Sequence, residues 1–420
     1  MTKSITQVTL KNGLLVMLKE IHTAPIISSW IWYRVGSRDE PTGKTGISHW
    51  TEHMQFKGTK KFPANMLDKV ISRLGGHWNA STSHDSTRYY ETMPADKIDL
   101  ALRLEADRMT NSIFDAKDVA SERTVIISER EGSENDPMFR LGEAVQNYAF
   151  RVHPYHHEVI GDMADLRAIS RDDLYTHYRT YYTPNNAVLA IAGDFETKSM
   201  LERVRSLFER IPKGITPPRL ARPEPEQKGE LRFSIDGSGE TTFIQIAYHF
   251  PNATDPDYFP LQVLDSLLNG ASGLSYKTSR LYRALVDKGY AVDVSGYSDA
   301  SIDPSLYRIT ITKHPERKVE QAISILDSEI MKLQEKLVSK DEINRALKQA
   351  RAVFAYGSEN ITHQAFWMGY TAMFSTYDWF ITYLNKLARV TPQDVQRVAQ
   401  KYLQPASRVI GFYNPKGKGG

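Results

Sequence analysis

The sequence predicts an α+β fold of two homologous domains, each a mostly antiparallel sheet packed with helices. Three observations carry that expectation. Strand and turn signals open the chain, helical stripes of apolar residues come after them, and the end of the chain repeats an earlier part. In the repeat, ARVTPQDVQRVAQKYLQPASRVIGFYN matches RAISRDDLYTHYRTYYTPNNAVLAIAG at a constant offset of 221 residues. Thr391 answers Ser170, Asp394 answers Asp173, Tyr402 answers Tyr181 and Pro405 answers Pro184. A single duplication of this size indicates two similar domains and not a solenoid.

Composition narrows the function. At 420 residues the chain has room for two domains with cores of their own. Its 53 Lys and Arg against 50 Asp and Glu leave +3 and no basic block, which argues against a nucleic-acid partner. The absence of cysteine removes disulfides, thiolate ligands and a cysteine nucleophile, leaving His and carboxylate as the metal ligands open to this chain. The start, MTKSITQVTLKNG, lacks an apolar core of signal-peptide length, and no apolar run approaches the ~18 residues of a membrane span. A soluble cytoplasmic protein, with no membrane partner, is expected.

Taken in order, Val8 to Leu10, the turn candidate Asn12-Gly13 and Leu14 to Leu18 read as a hairpin with a type I′ turn. Ile26 to Val35, rich in β-branched and aromatic residues, reads as a third strand. The polar loop from Gly36 to Gly46 holds Gly43-Lys44-Thr45, but Arg38 stands where a phosphate loop needs its first glycine, so a nucleotide site is discarded. Next comes ISHWTEHMQFKGT, Ile47 to Thr59. On a helix, His49 and His53 project from one face a turn apart and can grip one metal ion. Glu52 stands beside them, placed to take a proton from water at the metal without being a ligand, the H-x-x-E-H order of inverted zincins. The bland alternative is a pair of surface histidines near a glutamate, and the residues downstream of the motif decide between the two.

Pro63 to Leu74 reads as a short helix stopped by Gly75-Gly76. HWNASTSHDSTRYYETMP is then extended and too polar for a central strand, so it is expected at an exposed sheet edge, where a peptide could add as a further strand. Ile98, Ala101, Leu102 and Met109 form a helical core stripe. The helix that begins near Ala116 carries Glu122 and Glu129 seven apart, on one face; either can complete a metal site, and spacing alone does not choose. Asp136-Pro137 marks a new helix start. His153, His156 and His157 beside Pro154 read as loop packing and not as a second metal site. Proline-rich residues 211–230 form a semi-rigid spacer, so domains are placed at 1–210 and 231–420. The second half repeats the plan, with a strand from Thr242 to Phe250 and a helical stripe from Val319 to Leu333, but carries no counterpart of HWTEH.

Together HWTEH, SERTVIISE and GGHWNAST, with the edge strand, spacer and repeat, resemble the pitrilysin/insulinase family of zinc peptidases over nearly the whole chain. The likeness is to the short two-domain branch that includes the mitochondrial processing peptidases. It implies one zinc ion per chain, held by His49, His53 and Glu129 in the first domain. It also implies Glu52 as general base, Glu122 as the carboxylate that orients a ligand, and Asn79 and Ala80 on substrate backbone. LYRALVDKGYAV supplies the family's Arg and Tyr seven apart, Arg283 and Tyr290, which implies contact with substrate and, for Tyr290, with the oxyanion. A site built from both domains implies a clamshell closing on a peptide or unfolded polypeptide, as a homodimer or as a heterodimer with an inactive homologue. Thr51 and Gln55 are more polar than the family usually has, and the glycine-rich segment before Ser279 is not the shortest form. The rival expectation is a non-catalytic structural or partner subunit of the same fold, disfavoured because the ligands, the base and the Arg/Tyr pair are all present.

Overall fold

The structure, a computed structural model, describes residues 5–270 and 277–416. The middle of the glycine-rich stretch before Ser279, and the first four residues of the chain, lie outside the described residues.

Among the described residues eleven strands form two sheets. The first holds β1 (Thr6–Thr9), β2 (Leu15–Glu20), β3 (Ile26–Tyr33), β4 (His77–Thr82), β5 (Thr87–Pro94) and β6 (Ala187–Gly193), in the order β1-β2-β6-β3-β5-β4. The second holds β7 (Leu231–Gly237), β8 (Phe243–Phe250), β9 (Ala291–Ser298), β10 (Ser305–Lys313) and β11 (Arg408–Pro415), in the order β7-β11-β8-β10-β9. Each sheet has a single parallel pair, β2 with β6 and β7 with β11, and is otherwise antiparallel. Set side by side, β2-β6-β3-β5-β4 and β7-β11-β8-β10-β9 have the same plan, and the expected α+β duplication is borne out. Of the polar stretch expected at an exposed edge, only β4 lies there; β5 is an inner strand paired with β3 and β4, because its alternate residues Thr87, Tyr89, Glu91 and Met93 turn into the core.

Helices α1 (Ile47–Gln55), α2 (Ala64–Arg73), α3 (Ile98–Asn111) and α4 (Ala116–Glu134) come next in the first half, and α5 (Pro137–Ala149) starts where Asp136 accepts from the Met138 N–H at 2.8 Å. The hairpin turn departs from type I′. Only Gly13 takes a positive φ (92°), and its N–H donates to the Leu10 carbonyl at 2.9 Å. Asn12 spends its side chain on the carbonyls of Phe208 and Ile211 (2.7 and 3.0 Å), which fixes the loop from outside the hairpin.

Two compact units emerge, and neither is continuous in sequence. The first comprises residues 1–131, 157–221 and 358–380; the second, 132–156, 222–357 and 381–420. Residues 211–230 contain no helix or strand and separate the strands of one sheet from those of the other, yet two helices cross that division. The helix Ile361–Phe374 packs on β3 and β6 of the first unit, where Phe366 meets Trp30 and Trp32 edge-on at 5.3 Å each. Helix α5 packs on β11 and β8 of the second, with Leu141 and Val145 against Ala247, Val409 and Tyr413. The exchange has a hydrophobic cause, because each sheet has an apolar second face that the helices of its own half leave uncovered. Among the described residues no helix is long and apolar enough to cross a membrane.

Candidate metal centre

Helix α1 is anchored at its first turn by a buried carboxylate. Glu40 accepts the N–H groups of Gly46 and Ser48, one on each oxygen, both at 2.8 Å. Burial pushes the Glu40 pKa up to about 8 against those hydrogen bonds. One turn further, His49 and His53 share a face, and their Nε2 atoms stand 3.2 Å apart. Glu129 of α4 brings Oε2 to 3.7 Å from His53 Nε2 and 4.0 Å from His49 Nε2. Among the described residues this is the one group of His and carboxylates whose ligand atoms converge closely enough to hold a metal.

The arrangement fits a divalent cation of zinc's kind. Ligand atoms about 2.0–2.1 Å from a tetrahedral ion lie about 3.3 Å from one another. The observed spread brackets that value from 3.2 to 4.0 Å. Burial and the neighbouring His53 push the His49 pKa down to about 3, so its ring is neutral at physiological pH and offers a lone pair. His53 Nδ1 faces Glu122 Oε1 at 2.9 Å, which leaves its Nε2 lone pair turned to the same point. Converging lone pairs of two imidazoles and a carboxylate repel one another unless a cation sits among them.

Glu122 and Glu129 divide their work along α4. Glu129 meets the Nε2 atoms, while Glu122 bridges His53 Nδ1 and the Lys57 ammonium. Burial would raise Glu122, but the hydrogen bonds and charges of His53 and Lys57 outweigh it and hold the carboxyl below its usual range. For His53, burial opposes the charged form, yet Glu122, Glu52 and Glu129 together raise its pKa. A cation at Nε2 therefore competes with a proton.

Glu52 is 7 % exposed, and its Oε2 accepts from Thr82 Oγ1 at 2.6 Å. Burial raises its pKa, with Thr82, His53 and Arg88 opposing, which moves a carboxylate toward the range of a useful base. The Thr82 bond also ties the site to the open edge β4. There Asn79 is exposed, Ala80 is half-buried, and the Ala80 N–H is held by the Asn79 side chain at 2.9 Å. The Glu129 side chain is 47 % exposed, so the site is open to solvent on that flank.

Arg283 and Tyr290 belong to the second unit. Arg283 is exposed on the helical turn Tyr282–Val286. Tyr290 is half-buried just before β9, its N–H bonded to the Leu285 carbonyl at 2.8 Å and its ring 4.8 Å beneath the Arg317 guanidinium. In the second histidine cluster, His153 Nδ1 accepts the Tyr155 N–H and Nε2 meets Asp303 at 3.1 Å, the behaviour of a packed loop. Sequence reasoning missed Lys57, Thr82 and Glu40. Lys57 had a signal, since 49, 53 and 57 run at a spacing of four; for Thr82 and Glu40 there was none.

Comparison with known proteins places this geometry. A sequence model described as Insulinase (Peptidase family M16) matches residues 15–163, the stretch that contains every residue of the His/Glu cluster. A second, described as the Peptidase M16 inactive domain, matches residues 168–350. The chain belongs to the insulinase family, peptidase family M16. Within that family it is similar to zinc protease PqqE of Helicobacter pylori, 29% identical over 97% of this chain and 92% of that one. It is also similar to the mitochondrial-processing peptidase subunit beta of Lentinula edodes, 26% identical over 94% and 86% of the two chains. The crystal structure of a protease from Helicobacter pylori superposes with a TM-score of 0.92 at 28% identity, covering 98% of this chain and 99% of the other. A structure of a peptidase M16 inactive domain from Pseudomonas fluorescens, at 18% identity and a TM-score of 0.88, supports the fold alone. The match over 168–350 agrees with the second half of the chain, which carries no counterpart of HWTEH.

Proposed function

We propose that this insulinase-family chain is a zinc-dependent endopeptidase that cuts extended or unfolded polypeptides. What carries the reading is the meeting of His49, His53 and Glu129 beside a buried Glu52 that is hydrogen-bonded to an open strand edge. Zinc held by those three side chains would supply Lewis acidity, bringing the pKa of water down to about 7 and polarising a carbonyl. Glu52 takes the proton of the attacking water and passes it to the leaving amine. Glu122 holds the His53 ring in the tautomer that keeps Nε2 free. The backbone of β4 around Asn79 and Ala80 pairs with the peptide as an added strand. By family resemblance, Arg283 and Tyr290 engage the bound peptide, Tyr290 donating to the developing oxyanion. Relatives named as subunits support assembly with a second chain, either another copy or an inactive homologue.

Glu52→Gln tests the reading. The variant keeps one zinc per chain, and kcat on an unfolded peptide falls by about 10²–10⁴-fold. Turnover retained by the variant, or wild-type turnover unaffected by a chelator, overturns it. Stoichiometric zinc without turnover of any peptide by the wild type favours a non-catalytic partner subunit instead.

A further inference from the structure

Beside the open edge stands an arginine held by aromatic rings. Trp32 on β3, Arg88 on β5 and Ser81 on β4 are partners in register, so they form a row across one face of the sheet that ends at the edge. The Arg88 guanidinium lies 5.1 Å over Trp32 and 5.4 Å from the Phe366 ring, and its Nη2 reaches Ser81 Oγ at 3.4 Å. Among the described residues Arg88 forms no ion pair with a carboxylate, although it is partly buried. The two aromatic faces hold it in place by cation–π attraction without neutralising its charge. Serine at 81 leaves the way to the edge unblocked, and the guanidinium already extends onto the edge strand.

We infer that Arg88 is a specificity-determining residue that selects peptides with an Asp or Glu within about two positions of the bond to be cut. The inference rests on the peptidase reading and on β4 as the docking edge. A strand added to β4 continues the Trp32–Arg88–Ser81 row one strand spacing further out, about 4.8 Å, a gap that an acidic side chain spans. The neighbouring edge residue, Thr82, points to the opposite face and touches Glu52. The substrate residue opposite Ser81 therefore sits within about two positions of the scissile bond, given alternation along the strand. A bidentate carboxylate there gives the guanidinium a close anionic partner, where it now has the Ser81 hydroxyl at 3.4 Å and the more distant charge of Glu52.

The test uses the full-length zinc-loaded protein and one unfolded peptide with Glu, Gln or Lys placed in turn at each position around the cut. At one position kcat/KM for Glu exceeds that for Gln by about tenfold or more, the scale of a partly buried charge-assisted contact. Arg88→Gln brings that ratio to about one, and Arg88→Glu turns the preference to Lys, which a purely structural role would not do. Binding of the same peptides to Glu52→Gln protein, by fluorescence anisotropy, gives a reading that needs no turnover. Failure to cut any peptide sinks the peptidase reading. Equal binding of Glu and Gln peptides at every position, or an unchanged ratio in Arg88→Gln, sinks the role of Arg88.

Discussion

Glu122→Gln isolates what the carboxylate behind His53 contributes to the metal centre. In the native site Glu122 Oε1 faces His53 Nδ1 at 2.9 Å, and its other oxygen meets the Lys57 ammonium. The amide keeps the shape and loses the charge. If its oxygen stays on Nδ1–H, its NH2 opposes Lys57, donor against donor. If it turns over, it donates to Nδ1 and forces the proton onto Nε2, removing the lone pair a cation needs. The first outcome reduces a charge-assisted bond of about 1.5–3 kcal/mol to a neutral one of about 0.5–1.5 kcal/mol. The expected loss of zinc affinity is about 10–100-fold, or about 1.4–2.8 kcal/mol. Competition with a chromophoric chelator at fixed pH measures it, with Lys57→Met as the variant that removes the other side of the bridge. A zinc Kd for Glu122→Gln within about twofold of wild type, in protein of unchanged circular dichroism, refutes the reasoning.

Two further predictions concern the frame. Glu91 is fully buried beside Glu105 and shares Arg108 with it; burial and the second carboxylate raise its pKa well above the usual value. An acid raised on folding stabilises below its unfolded pKa, and that contribution is lost as pH rises through the folded value. Wild-type stability therefore falls relative to Glu91→Gln as pH increases from about 4.5, by up to about 1.4 kcal/mol per unit, and urea midpoints from pH 5 to 9 that run parallel or diverge the other way contradict it. Gly369 lets the helix Ile361–Phe374 lie against the sheet, since a Cβ there would fall 2.0 Å from Nε1 of the fully buried Trp32. Gly369→Ala gains about 1 kcal/mol of helix propensity and loses more to overpacking, for a net destabilisation of about 1–2 kcal/mol read as a lowered urea midpoint; a stabilised variant rules this out.

Much of this molecule was legible locally. The spacing of His49 and His53 places them on one face of any helix they share, and the polar run His77–Thr82 does lie at a sheet edge, whereas Thr87–Pro94, assigned to the edge on the same ground, is an inner strand. The duplication announced two sheets of one plan. Packing decided the rest. Glu122 and Glu129 lie two turns apart on one face of α4, about 10 Å along the axis, so periodicity treats them alike and only the docking of α4 on α1 separates their roles. The crossing helices were hidden for a related reason, since an apolar stripe states that a face is buried and not which sheet buries it. Lys57 at Glu122, Thr82 at Glu52 and Arg88 over Trp32 are contacts between elements distant in sequence. Periodicity along a chain sets which side chains share a face, whereas what that face meets depends on how sheets and helices cover one another.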